Sequence, residues 1–238
     1  MPTHLHVHSW FSLGAGVSSP GTLVRQAAAR GFTSLALTDT NGVYGAVEFQ
    51  QAALAHGLTP ILGAHLVHGG QETVALATDE RGWAALCRAI TAIHWPAPPS
   101  HFPFPVSRLS ALLASDRAGL FLLSQDVAFL EDLVRRSGPT DVYAELRPGK
   151  HRHLAGSAAR RLGLPCVVTG GVMFANAEDW QRHRLRVAIA RNETLDGSDG
   201  KDGTVGTVAT VATAGTTPLP ISRHPPVRRI TFLHVRHA

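Results

Sequence analysis

The sequence predicts an α/β protein, with a (β/α) barrel as the leading architecture. Three observations carry that expectation. Short apolar runs of strand length alternate with amphipathic helical runs seven times or so, the pattern of parallel strands joined by helical crossovers. The chain of 238 residues is long enough for one large domain or two small ones. Hydrophobic residues make up 44% of it, enough for a sizeable core. An open doubly wound sheet is the alternative, but no Gly-rich phosphate fingerprint follows the first strand.

The elements read in order. Thr3 to Val7 is a strand. Ser19-Pro20 opens a helix, Ser as cap and Pro in the first turn, and Gly31 stops it. Ser34 to Thr38 is a short apolar strand, and the loop Asp39-Thr40-Asn41-Gly42 leads to a helix from Val43 to His56. Ile61-Leu62 and Leu66-Val67 suggest strand, and Glu72 to Thr78 another. Asp79 to His94 is a helix with Leu86, Ala89, Ile90 and Ile93 on one face. Trp95 to Pro105 is Pro-rich and breaks regular structure. Helices follow at 107–115, 126–136, 152–162 and 177–190, and strands at 120–123, 142–146 and 165–169.

After Leu195 the composition changes. Asp196 to Gly203 is linker-like, and Thr204 to Thr217 is a Thr/Val/Ala/Gly low-complexity run. The last segment, Arg223 to Ala238, is basic. The expected organisation is therefore one domain over residues 1–195 and a flexible, disordered tail over 196–238.

Charge and cysteines narrow the function classes. The formal charge is +5, and Lys150 is the one lysine among the first 200 residues, so Arg supplies nearly all the positive charge. That balance allows DNA or another polyanion as partner without demanding one. Cys87 and Cys166 lie on apolar runs and read as buried free thiols, not as a disulfide or a zinc site. No leader-like segment precedes His4 and no apolar run is long enough to span a bilayer, which leads to the expectation of a cytoplasmic protein.

The chemistry concentrates at His4-Leu5-His6-Val7-His8. On a strand, alternate side chains share a face, so these three imidazoles are expected to point the same way and to converge on a metal ion. The competing reading is three unrelated histidines in a chain that has 14.

The motifs add up to a family. His4-Leu-His-Val-His-Ser-Trp-Phe-Ser-Leu13 resembles the opening motif of the PHP (polymerase and histidinol phosphatase) family. Leu35-Ala-Leu-Thr-Asp-Thr-Asn-Gly-Val-Tyr-Gly-Ala-Val-Glu-Phe49 resembles its second motif, and Pro60-Ile-Leu-Gly-Ala-His65 follows at the expected distance. The runs from Gly82 to His94 and from Leu162 to Thr169 also fit. None of these motifs is specific alone; their order and spacing are. The ensemble, over about residues 3 to 195, most resembles the N-terminal PHP domain of bacterial DNA polymerase III alpha subunits, the error-prone kind among them.

That resemblance implies a distorted (β/α)7 TIM-like barrel with up to three metal ions at the strand C-terminal ends, usually Zn, Mn or Fe. It also implies phosphoesterase ancestry. His6 and His8 match the family's His-x-His ligand pair, and Asp39 matches the acid of a Thr-Asp-His motif whose His is here Thr40. His65 stands where a Glu ligand is expected, and no acidic residue stands near Ala15. Gly171-Val172-Met173 occupies the place of a final Asp-x-His. The implied metal set shrinks to His6, His8, Asp39 and His65, enough for one divalent ion, and no catalytic residue is assigned.

The resulting expectation is a degenerate PHP domain of a C-family DNA polymerase alpha subunit, acting in replication or repair synthesis. Its partners would be DNA or the remainder of the polymerase assembly, with no membrane. The change at Asp196 leads to the further expectation of a truncated or stand-alone fragment. One rival is a free-standing metal-dependent phosphoesterase, a phosphatase or 3′–5′ exonuclease. Another is a non-catalytic binding module that meets DNA through Arg182, Arg184, Arg186 and Arg191. Whether the chain retains enzymatic activity stays open at this point.

Overall fold

A computed structural model describes residues 3–95, 108–149 and 151–195. The expected tail over 196–238 and most of the Pro-rich stretch lie outside the described residues. The strands are β1 (Thr3–His4), β2 (Ser34–Thr40), β3 (Thr59–His68), β4 (Gln71–Ala77), β5 (Leu120–Ser124), β6 (Val142–Leu146) and β7 (Cys166–Val168). The helices are α1 (Pro20–Ala29), α2 (Ala46–Ala55), α3 (Glu80–His94), α4 (Leu109–Ser115), α5 (Val127–Ser137), α6 (Arg152–Leu162) and α7 (Trp180–Arg191), the last entered through a 3₁₀ turn at Ala177–Asp179.

The seven strands form one curled sheet in sequence order. Its two ends meet where Val7 and Val172 form a parallel bridge. There Val172 donates its N–H to the His6 carbonyl and accepts from the His8 N–H. The result is the distorted, barrel-like α/β fold that the sequence predicts.

Not all strands are parallel, contrary to what simple βα alternation suggests. β4 runs antiparallel to both β3 and β5. The reason is local. Gly69 and Gly70 both take positive φ, 58° and 73°, and supply the tight turn that joins β3 to β4 as a hairpin instead of a helical crossover.

Helix ends follow the capping residues. The side chain of Ser19 accepts from the Thr22 N–H at the start of α1, Asp79 from Gly82 at α3, and Asp126 from Phe129 at α5. Gly82 is also where α3 touches its neighbour. A Cβ there would stand 1.8 Å from the Gly119 carbonyl oxygen, so only glycine fits.

Side-chain parity along the strands sorts the core. Leu35 and Leu37 of β2 pack outward under α1 and α2, together with Val24, Phe49 and Ala53. Ala64, Leu66, Ala75, Leu122, Val142 and Ala144 face the helices on the other flank. The barrel interior is a smaller cluster of Leu5, Ala36, Ile61, Val74, Leu76 and Leu123, with Phe121, Tyr143 and Val167 packed against it. Residues that continue the interior parity toward the strand C-terminal ends reach the rim. On antiparallel β4 the rim residue lies at the strand's N-terminal end instead.

Candidate metal centre

Three of the four predicted metal residues meet at this rim. One ligand nitrogen from each of His6, His8 and His65 lies within 4.8 Å of the others. His65 continues the interior face of Ile61 along β3. The opening strand needs a bend to do the same. The backbone bends at Leu5 and His6, so Leu5 fills the interior while His4 turns to the helix side and stacks on Phe32, centroids 4.8 Å apart. His4 is therefore not part of the cluster, contrary to unbroken alternation, whereas His6 and His8 both point in and are 1% exposed.

The fourth residue, Asp39, lies behind the cluster. It is on β2, which runs on through Thr40 where the sequence suggested a loop. Asp39 shares the parity of outward-facing Leu35 and Leu37, and its neighbour Thr40 takes the inward register opposite His65. The Asp39 carboxylate accepts from the Ser9 N–H (2.7 Å), the Ser9 hydroxyl (2.7 Å) and the Ser12 hydroxyl (2.7 Å). Burial pushes its pKa up, and the Ser12 and Ser9 hydrogen bonds offset part of that. Asp39 reaches His8 through Ser12, whose oxygen is 2.9 Å from His8 Nδ1.

Two carboxylates that the sequence reading did not single out complete the rim. Glu145 is 2% exposed and continues the interior face of Tyr143 along β6. Its Oε1 is 2.7 Å from His6 Nδ1 and accepts from the Thr169 hydroxyl. Burial works to raise the Glu145 pKa, but the His6 ring, the Arg147 charge and the Thr169 hydroxyl outweigh it and hold the carboxyl below its ordinary value. Glu72, at the start of β4, has Oε2 3.3 Å from His65 Nε2. The hydrogen bond with His65, followed by the charge of Arg147, lowers its pKa to about 2 against the effect of burial. Arg147 joins the two acids, with Nη2 2.8 Å from Glu72 Oε1 and Nε 3.6 Å from Glu145 Oε2.

Glu145 was legible as an acid at the rim end of the Val142-Tyr143-Ala144-Glu145 alternation. Glu72 required the hairpin. In the antiparallel register Val67 faces Glu72 and His65 faces Val74, which places His65 and Glu72 diagonally on one face.

The outer partners fix the tautomers. Ser12 gives its proton to Asp39 and so accepts from His8 Nδ1–H; Glu145 accepts from His6 Nδ1–H. Both Nε2 lone pairs then face one another across 2.9 Å. That arrangement requires a shared proton or a cation between them. A carboxylate or hydroxyl behind each ligating imidazole is also how proteins orient histidines toward a metal, so the donor set fits a divalent ion. Burial, and then the neighbouring rings of His6 and His65, pushes the His8 pKa well below the ordinary imidazole value; burial also lowers that of His65. Both favour the neutral, ligating form.

Residues 4–160 match the model of the PHP domain family. The chain belongs to the PHP domain family. An error-prone DNA polymerase from Symbiobacterium thermophilum is 35% identical over 229 residues, covering 81% of this chain and 21% of that protein. One from Anaeromyxobacter dehalogenans (strain 2CP-C) is 37% identical over 186 residues, 71% of this chain and 16% of that protein. The DNA polymerase III subunit alpha of Escherichia coli (strain K12) is 30% identical over 219 residues, 81% and 19%. The chain thus spans about a fifth of the length of these polymerase relatives.

Among solved structures, an amidohydrolase from Chromobacterium violaceum superposes with a TM-score of 0.53 at 17% identity, covering 78% of this chain and 97% of that one. A protein from Bifidobacterium adolescentis described as a metal-dependent phosphoesterase gives 0.50 at 15% identity, covering 71% and 86%. Both share the PHP fold with this chain.

The remaining sequence candidates are tied up within the domain. Arg182 pairs with Asp179, Arg184 donates to the Leu195 carbonyl, and Arg186 donates to the Gly16 carbonyl. Both cysteines are free and half-buried. No helix among the described residues is long and apolar enough to cross a membrane.

Proposed function

We propose that this PHP domain has lost the multinuclear centre of a hydrolase, keeps a site for one divalent ion (Zn, Mn or Fe), and acts as a structural module of a C-family DNA polymerase alpha subunit. The observation that carries the reading is the pair of Nε2 atoms of His6 and His8, opposed at 2.9 Å with both Nδ1 atoms held from behind. His65 supplies the third imidazole, and Asp39 acts through Ser12 to orient His8.

The same rim lacks what a two- or three-metal centre needs. Bridging carboxylates balance several dications. Here Glu72 and Glu145 are engaged by Arg147, and Gly171 and Met173 bring no ligand where the family resemblance expects an acid and a histidine. A bound divalent ion supplies Lewis acidity and lowers the pKa of a bound water. Here the side chains orient three imidazoles but leave no free carboxylate among the described rim residues to take a proton from that water. The likeness to error-prone and replicative polymerases supports the structural role and, with it, a cytoplasmic place beside DNA or the remaining polymerase regions.

The test is turnover. The full chain, loaded in turn with Zn, Mn and Fe, is assayed on an aryl phosphate and on 3′-labelled single-stranded DNA. No turnover above the metal-free blank is expected. Metal-dependent turnover that disappears in His6→Ala would overturn the reading in favour of a working phosphoesterase.

A further inference from the structure

Two carboxylates, Glu72 and Glu145, stand at the rim beside the three imidazoles, and a fixed cation lies between them. Glu145 Oε1 is 2.7 Å from His6 Nδ1, and Glu72 Oε2 is 3.3 Å from His65 Nε2. Their countercharge is Arg147. It leaves β6 at the rim, is 13% exposed, and reaches Glu72 through Nη2 at 2.8 Å while its Nε lies 3.6 Å from Glu145.

Gly171 makes room for it. A Cβ on Gly171 would stand 3.4 Å from Arg147 Cδ, in contact with the arginine stem. Gly171 also has φ +60°, a conformation that disfavours other residues. Glycine at 171 and arginine at 147 are thus one structural solution. The first removes a side chain from the rim, and the second fills the space with a fixed positive charge.

We propose that the Arg147 guanidinium occupies the place of a second cation, contacting both Glu72 and Glu145 and offsetting one of their two charges, and thereby limits the centre to a single metal ion. The inference rests on the reading that His6, His8 and His65 hold that one ion. A guanidinium is planar, permanently charged and able to meet two carboxylates at once, as a bridging cation does. Like charges a few ångströms apart repel, so a second dication cannot join while Arg147 stays. Without it, the carboxylates of Glu72 and Glu145 face one opening, oxygen donors suited to Mn or Zn.

The test compares Arg147→Met, which keeps the stem and removes the charge, with Arg147→Lys, which keeps the charge. Each full chain is saturated with Mn or Zn, freed of excess ion by gel filtration, and analysed for metal content. Thermal midpoints are read in EDTA and in Mn. The expected result is one more ion per chain in R147M than in wild type, and no gain in R147K. R147M also melts lower than wild type in EDTA and recovers in Mn. The double variant E72Q/R147M, which restores the charge balance, returns to the wild-type metal content. Wild type without any metal, together with a gain of one ion in R147M, would end the single-ion reading but leave the role of Arg147 standing. Equal metal content in R147M and wild type overturns the inference. If R147M does not fold, the double variant decides: folding with wild-type metal content supports the charge role, and failure to fold shows that the arginine is needed for packing alone.

Discussion

Removing Glu145 should unsettle both the barrel and the metal site, and the size of the effect can be worked from its contacts. Its carboxylate is almost fully buried and faces three groups: His6 Nδ1 at 2.7 Å, the Thr169 hydroxyl, and Arg147 at 3.6 Å. In Glu145→Ala the His6 N–H and the Thr169 hydroxyl lose a buried acceptor, and Arg147 keeps only Glu72. Leaving those two buried donors without an acceptor costs about 1–3 kcal/mol each, and with the weakened Arg147 contact the total is about 3–5 kcal/mol. In a domain of this size each kcal/mol lowers the melting midpoint by about 2–4 °C, so a drop of roughly 6–20 °C follows. Glu145→Gln keeps an acceptor oxygen but not the charge and should fall between. Losing the group that orients His6 should also weaken divalent-metal binding by about 10–100-fold. Urea and thermal unfolding followed by tryptophan fluorescence in EDTA give the first number, and metal titration of the folded variants gives the second. A Glu145→Ala protein within about 0.5 kcal/mol of wild type and with unchanged metal affinity would refute the idea that this carboxylate holds the His6 side of the site.

Three further outcomes follow. Ser12→Ala cuts the link from Asp39 to His8 Nδ1, and metal affinity by titration should fall by about 10-fold or more while the fold persists, as for other groups that orient a ligand. Gly82→Ala drives a methyl into the Gly119 carbonyl, and chemical denaturation should show a loss of about 1–3 kcal/mol or more. Asp132 tests the pH dependence of the fold away from the site. The Ser110 hydroxyl, with Arg136 and Arg135, holds its pKa at about 2. A carboxyl whose folded pKa lies below its unfolded value of about 3.9 stabilises the protein above that value, and the stabilisation is lost as pH falls toward the folded pKa. The urea midpoint of wild type should therefore drop between pH about 4 and about 2 more steeply than that of Asp132→Asn.

The barrel was largely legible because its strands and helices have strong, opposite periodicities. β6 and α6 fall where the apolar pattern places them, at Val142–Leu146 and Arg152–Leu162. The direction of β4 was not, since alternation of elements says nothing about strand sense. Gly69-Gly70 was the available signal. At the site, the spacing and the resemblance pointed to His6, His8 and His65, whose ring nitrogens cluster within 4.8 Å of one another. Asp39 shows the limit of that approach, because the parity that sends Leu35 and Leu37 outward sends it behind the cluster. His4 shows the same limit, through one backbone bend. Glu72 escaped because only the β3–β4 hairpin brings it beside His65, and Arg147 because only the curled sheet sets the end of β6 against the start of β4.

X-ray absorption at the zinc edge tests the central claim most directly. For the full chain loaded with Zn, the account predicts a first shell dominated by three imidazole nitrogens at about 2.0–2.1 Å, from His6, His8 and His65, with one imidazole lost in His65→Ala. A metal–metal vector near 3.5–4 Å, or a shell without imidazole scattering, would contradict it.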